Sequence, residues 1–322
     1  MALLPSTHAD PDLARFAAAM RDYPERGGKR VRGKLVLAST AAHGGDVGSA
    51  LSVAAALELF QNWVLVHDDI EDDSEERRGA PALHRKVGVP IALNVGDAMH
   101  VYMWDCLIGL RSRPGFDADA IRSEFSWMIH RTAEGQHLDL TWVAERRFDV
   151  SEDAYLAMVV RKTAAYTVVS PLRLGAHASA VAAHPALVGI GERLGAAFQI
   201  RDDVLNLSPS EGGVYGKEFA GDLFEAKRTL ILAHALAHAR EDEVEEAVAR
   251  LAPPREERSA DDVEWLLAFI GRYGSLRYAQ ERAEALATEA LGELAEVLHA
   301  LPGREAADAL MGELRLLTKR HS

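Results

Sequence analysis

A chain of 322 residues with a hydrophobic fraction of 48% can bury a large core as one sizeable domain or two smaller ones, which excludes disorder as the default. The 49 Asp and Glu residues outnumber 36 Lys and Arg, and the formal net charge of -13 repels phosphate backbones, so no nucleic-acid partner is expected. Cys106 is the only cysteine, which rules out an internal disulfide.

The opening stretch MALLPSTHAD lacks a basic region ahead of an apolar one, and no segment reaches the roughly 18 apolar residues of a membrane span. A cytoplasmic protein with no membrane span is expected. Alanine and leucine dominate, and alternating β-branched runs are nearly missing, so the expected class is all-α. Turn chemistry falls at HGGD (43–46), RPGF (113–116), SPSEGGVYG (208–216), APPREERS (252–259) and LPGR (301–304). None of these is long enough to be a flexible linker, which predicts a single domain over residues 1–322.

In chain order, GGKRVRG (27–33) places Lys29, Arg30 and Arg32 just after two glycines, a pattern suited to phosphate oxygens. From Leu51 to Val66 the chain is apolar except for Ser52, Glu58, Gln61 and Asn62, predicting a helix buried on most sides. An acidic cluster, DDIEDD (68–73), follows at its C-terminal end. On a helix Asp68 and Asp72 lie about 40° apart and Asp69 about 60° from Asp72, so the three carboxylates share one face. Like charges at this spacing, next to the negative end of a helix dipole, call for a cation. Oxygen-only ligands point to a hard ion such as Mg²⁺, which shares its coordination with substrate phosphates.

RRG (77–79) follows, adding Arg77 and Arg78. FQIRDDVLN (198–206) repeats the spacing with Asp202, Asp203 and Asn206. Two such clusters argue for a bridged polyanion. Lys162, Lys217, Lys227 and Arg228 supply further positive charge. His67 and His84 flank the first cluster and are more simply structural than metal ligands.

Taken together, GGKRVRG, DDIEDDSEERRG, GQHLDL (135–140), KTA (162–164), FQIRDDVLN and GKEFAGDLFEAKRTL, in this order, resemble the trans-isoprenyl diphosphate synthases of the farnesyl and geranylgeranyl type. The resemblance implies an α-helical bundle around a deep central cavity, a homodimer, and three Mg²⁺ ions held by two Asp-rich motifs. It assigns Asp68, Asp69, Asp72, Asp202 and Asp203 to the metal. Lys29, Arg32, Gln61 and Arg78 would hold isopentenyl diphosphate, and Arg77, Lys162, Lys217 and Lys227 the allylic diphosphate. Lys162, Thr163 and Gln199 would assist catalysis, the last two through dipoles directed at a carbocation.

Two positions depart from the family pattern. Asn206 stands where a third aspartate is most common, and Ala226 replaces a frequent glycine, where it adjusts the helix start. Phe60, Trp63 and Val64 form the expected floor of the product cavity, and an aromatic at Trp63 resembles the pattern of a C20 enzyme. The alternatives are a farnesyl diphosphate synthase and a non-catalytic partner subunit of a prenyl synthase. A terpene cyclase has no second diphosphate to hold, so GGKRVRG and Arg78 count against it.

Overall fold

Asp10 starts the first helix, α1 (Pro11–Glu25), by accepting the Asp12 and Leu13 N–H groups, with proline in the first turn where a missing N–H costs nothing. Helices α2 (Val31–Ala42) and α3 (Val47–Glu71) follow, with Asp46 capping α3 in the same way as Asp10. A hairpin of β1 (Glu76–Arg77) and β2 (Ala80–Pro81) leads into α4 (Leu83–Val87) and α5 (Val89–Ile108). The chain continues through α6 (Ala118–Ala144), α7 (Glu152–Val159), a π-helical segment (Val160–Val169), α8 (Ser170–His177) and α9 (Leu187–Asn206). After α10 (Gly221–Phe224) come α11 (Leu230–His238), α12 (Glu241–Leu251), α13 (Ala260–Arg272), α14 (Ser275–His299) and α15 (Arg304–Thr318).

These elements belong to a computed structural model that describes residues 3–208 and 218–319. The all-α class is borne out, since the hairpin and one isolated bridge, Arg113 with Phe116, are the extended pairings among the described residues. That bridge closes the RPGF turn. The HGGD, APPREERS and LPGR turns also fall between helices, whereas SPSEGGVYG lies outside the described residues from position 209 on.

The described residues divide into two compact units. One comprises 3–127, 170–187 and 297–310; the other comprises 128–169, 188–208, 218–296 and 311–319. In the first unit α3 packs against α2 and α5, and α2 packs against α8. The core of this unit includes Leu57, Phe60, Val95, Met99 and Met103. In the second unit Trp142, Tyr155, Ile200, Leu230, Leu266 and Phe269 belong to one buried cluster.

One expectation needs correction. Helix α3 is long and apolar enough, by length and composition, to cross a membrane. Ser52, Glu58, Gln61 and Asn62 interrupt its apolar run, but hydropathy averaged over a helical window absorbs such interruptions. Half of the apolar window is buried inside the protein, consistent with its packing against α2 and α5.

Candidate active site

Helix α3 runs on past the apolar stretch and ends at the acidic cluster. Asp72 is its C-cap, and Asp73 adopts a left-handed conformation at φ +52°. The Ser74 N–H reaches the Asp69 carbonyl at 3.0 Å and the Asp73 N–H reaches Ile70 at 3.3 Å, the paired bonds of a Schellman motif. This tight stop leaves Asp68 and Asp72 half-buried on the last turn. Asp69 differs from them. It is completely buried, and accepts hydrogen bonds from Arg77 Nε at 2.9 and 3.1 Å and from the Tyr23 hydroxyl. The face expected to carry three equivalent carboxylates is therefore divided, with Asp69 bonded inward.

Arg77 also approaches Asp68 at 3.5 Å. Burial opposes the charge on Arg77, but Asp69 and Asp68 outweigh it and hold the guanidinium above the ordinary arginine range. Burial, and next the Asp69 charge, push the Tyr23 phenol upward, so it remains a donor. Arg78 and Gly79, both left-handed at φ +55° and +71°, form the two-residue turn of the hairpin. A non-glycine residue in this conformation is strained by about 1 kcal/mol, and such strain concentrates at functional sites. Arg26 holds the hairpin by donating to the Arg77 carbonyl at 2.7 Å and the Pro81 carbonyl at 2.8 Å. Arg78 donates to the Tyr23 carbonyl and to Asn62 Oδ1.

These contacts bring GGKRVRG to the hairpin. Gly28, at φ +122°, sits where an added Cβ would lie 3.4 Å from the Arg78 guanidinium carbon. The glycine permits the backbone angle, and a side chain there would only touch the guanidinium. Burial, then Arg77, lowers the Arg78 pKa, with Arg32 and Arg26 adding to the effect and Glu58 opposing it. Lys29 and Arg30 are exposed, Arg32 is buried, and Gln61 is half-buried about two turns below Asp68 on α3. The first unit thus brings Gly28 and Arg32 close to Arg78, next to its acidic helix end.

Within α3, Trp63 stacks on His100 of α5 with centroids 4.1 Å apart, and meets Phe60 edge-on at 5.5 Å. Phe60 is buried, Trp63 and Val64 half-buried. All three belong to the packing of α3.

In the second unit α9 ends at Asn206, with Asp202 half-buried and Asp203 buried. Asp203 accepts from the Tyr155 hydroxyl at 2.7 Å and from Gln199 Nε2 at 2.8 Å. Thr163 donates to Gln199 Oε1 at 2.9 Å, so the two dipolar side chains and the acidic motif are one hydrogen-bonded chain. Burial foremost, then Asp203, raises the Tyr155 pKa.

Lys162 lies 2.6 Å from Asp139 Oδ2, and Lys227 lies 3.5 Å from the same oxygen. One buried carboxylate, in the GQHLDL stretch, thus gathers two of the expected diphosphate-binding lysines. Lys162 and Thr163 belong to the π-helical segment, a conformation frequent at functional sites. It is closely packed: a Cβ on Gly135 would lie 2.2 Å from the Lys162 nitrogen, and one on Gly195 would lie 2.3 Å from the Ala164 Cβ.

Asn206 has a structural task. Its side chain donates to the Glu218 carbonyl at 3.3 Å and accepts the Asp222 N–H at 3.0 Å, tying the chain that re-enters after the second motif. An ionised aspartate could not make the first bond. Ala226 corrects another expectation. It is the left-handed residue, φ +51°, that ends α10 in a Schellman motif, not the start of a helix, and it presents Lys227. Arg228 is buried, donates to the Arg147 carbonyl at 2.7 Å, and is pushed down to about 10 by burial. Lys217 lies outside the described residues.

The sequence reading missed Tyr23, Tyr155 and Asp139. Asp139 lies inside GQHLDL, but the tyrosines carry no local signal, being 46 and 48 residues from their partners. Among the described residues no three His, Cys, Asp or Glu side chains are already gathered into a metal-ligating group. The donor chemistry nevertheless fits a hard divalent ion. The half-buried carboxylates Asp68, Asp72 and Asp202 offer oxygen alone, leaving an ion's remaining positions to water and phosphate.

The Polyprenyl synthetase family model matches residues 14–270. A relative from Methanothermobacter thermautotrophicus, a short chain isoprenyl diphosphate synthase, is 35% identical over 291 residues, covering 88% of this chain and 84% of its own. Among solved structures, geranylgeranyl pyrophosphate synthetase from Pyrococcus horikoshii matches with a TM-score of 0.84 and 31% identity, over 99% of this chain and 93% of that one. Geranylgeranyl pyrophosphate synthase from Corynebacterium glutamicum, complexed with isoprenyl diphosphate and magnesium, matches with a TM-score of 0.84 and 29% identity, over 96% and 92%. With its two acidic helix ends and their attendant cations, the chain belongs to the polyprenyl synthetase family and is a prenyltransferase.

Proposed function

We propose that the protein is a short-chain trans-prenyltransferase that condenses isopentenyl diphosphate with dimethylallyl, geranyl or farnesyl diphosphate, and that its main product is geranylgeranyl diphosphate. The observation that carries this reading is the pairing, in each unit, of an aspartate motif at the end of a helix with cations set by buried carboxylates. Asp69 sets Arg77, and Asp139 sets Lys162 and Lys227. The protein acts as one polyprenyl synthetase domain over residues 1–322. Three Mg²⁺ ions, a homodimer and a cytoplasmic location complete the proposal. For the homodimer, Val89, Leu93, Val101 and Ile108 are exposed apolar side chains within about 120° of one another on α5, an arc that also carries the exposed Asp97.

Asp68, Asp72 and Asp202 would hold the divalent ions, with Asp69 and Asp203 as the buried members of each motif. When bound, such an ion supplies charge to the oxygens of a departing diphosphate. Arg77, Lys162, Lys217 and Lys227 would hold the allylic diphosphate, whose C–O bond breaks with its electron pair on the diphosphate. Lys29, Arg32, Gln61 and Arg78 hold isopentenyl diphosphate, whose double-bond electrons form the new bond to C1 of the allylic cation. A proton then leaves C2 of the isopentenyl unit to the released diphosphate, restoring the double bond. Thr163 and Gln199 offer dipoles to the cation, and their mutual hydrogen bond keeps both in place. No serine, cysteine or histidine nucleophile is needed. Cys106 is half-buried with its thiol pushed up by burial, which suits an inert core residue.

Chelation of divalent metal is expected to stop elongation, and added Mg²⁺ to restore it. Elongation that survived chelation would contradict the proposed role of the aspartates. For product length, Trp63→Ala is expected to extend the main product by at least one C5 unit, because five residues of helix span about 7.5 Å, the scale of one to two such units. Mass spectrometry of the products checks this, and an unchanged distribution would place the floor away from Trp63.

A further inference from the structure

One contact recurs in both units and takes no part in the steps above. Tyr23 on α1 donates its hydroxyl to Asp69, and Tyr155 on α7 donates to Asp203 at 2.7 Å. Each phenol is only 1% exposed. In both cases the acceptor is the second of two adjacent aspartates.

We infer that Tyr23 and Tyr155 are positioning residues for the two acidic motifs: each hydroxyl pins the second aspartate inward and so fixes the direction in which Asp68 or Asp202 presents its carboxylate to a divalent cation and the diphosphate it carries. The inference rests on the reading above, in which these motifs hold metal. Neighbouring side chains on a helix point about 100° apart, so anchoring one sets the bearing of the other. The anchor matters most near a helix terminus, where the backbone ladder is incomplete and ends fray. Both motifs lie within the last turns of α3 and α9.

At Asp203 tyrosine is suited to this task because, like Gln199, it donates a hydrogen bond without adding charge, whereas Asp69 already carries the Arg77 guanidinium. A lysine or arginine at the same place would neutralise part of the attraction for a cation. The remaining partners of each network fix the anchor further. The Leu83 N–H donates to the Tyr23 hydroxyl at 2.9 Å, and Gln199 holds the other oxygen of Asp203. Arg77 adds charge at Asp69, so the second motif depends on its tyrosine more than the first.

The test uses full-length Tyr23→Phe and Tyr155→Phe, which keep the ring and remove only the hydroxyl. Mn²⁺ binding in the presence of inorganic diphosphate is followed by electron paramagnetic resonance, together with the Mg²⁺ concentration for half-maximal elongation and thermal unfolding without metal. Mn²⁺ affinity is expected to fall, and the Mg²⁺ requirement to rise, by roughly tenfold, the worth of one hydrogen bond to a charged group. The kcat is expected to recover at saturating Mg²⁺, with the larger shift for Tyr155→Phe. A lower melting temperature with Mn²⁺ affinity and Mg²⁺ requirement unchanged would overturn the inference, because a hydroxyl that only supports the core moves stability alone. The tyrosines lie in separate units, so failure of one variant to fold leaves the other to decide; failure of both also overturns it. If the unsubstituted protein bound no Mn²⁺ with diphosphate, the metal reading itself would fail, and the inference with it.

Discussion

Asp68→Ala and Asp202→Ala are each expected to reduce kcat by at least roughly a thousandfold while leaving the fold intact, because stabilisation of departing charge is commonly the largest catalytic contribution. Both side chains are half-buried at helix ends, where the helix dipole disfavours negative charge, so removing either relieves repulsion. The structure adds a reason for the fold to survive the first change. Arg77 keeps Asp69 as its buried partner when Asp68 is lost, and no guanidinium is stranded. Steady-state kinetics together with thermal unfolding check both points. Full activity in both variants would remove these residues from the metal-binding role, whereas unfolding would show that they are structural.

Gly135→Ala is expected to have the second largest effect, and for a steric reason. An added Cβ would lie 2.2 Å from the Lys162 nitrogen and 2.6 Å from its Cα, distances that backbone atoms cannot tolerate. Forcing α6 and the π-helical segment apart should cost roughly 2–4 kcal/mol of stability, at the upper end of overpacking effects. Activity should fall further than stability, because Lys162 and Thr163 sit on the segment that moves. A displacement of about 1 Å at a positioned group costs on the order of a hundredfold in rate. Gly292→Ala is the control, since nothing lies within 4 Å of its added Cβ and alanine favours the helix. Thermal melts and kcat for both variants decide the matter. A Gly135→Ala protein as stable and active as the parent would show that the segment tolerates displacement.

Much of this was legible in the sequence because helical periodicity is a strong signal and the charged motifs interrupt it sharply. The apolar run from Leu51 gave the buried body of α3, but the wheel reading puts Asp68, Asp69 and Asp72 on one face, although about 100° separates Asp68 from Asp69. That angle separates an inward residue from an outward one. The wheel could not say which carboxylate turns inward, since the choice is made by Tyr23 and Arg77 from other elements. The hairpin at RRG escaped notice because its left-handed turn is built from Arg78 and Gly79 in place of the usual Asn-Gly. In the π-helical segment every residue from Thr163 to Val169 is buried, which leaves no amphipathic pattern to read. Its best sequence mark is indirect, in Gly135, Gly191 and Gly195, which admit neighbouring backbone where other residues would collide.

Asn206 is a further case where residue type alone misled. Read as a substituted aspartate it counts as one lost charge, but its amide bonds in both directions to the Glu218–Asp222 chain. The α9 terminus is thereby joined to the segment that carries Lys227. Long-range hydrogen bonds of this kind follow from tertiary packing and leave no trace in local spacing.

The central claim is that this chain elongates allylic diphosphates, and the most direct measurement is mass spectrometry of products formed from isopentenyl diphosphate with dimethylallyl, geranyl and farnesyl diphosphates in separate Mg²⁺-containing incubations. A C20 diphosphate from all three starters is the result expected. Consumption of a starter to hydrocarbon without elongation, or no consumption of any starter, would contradict it.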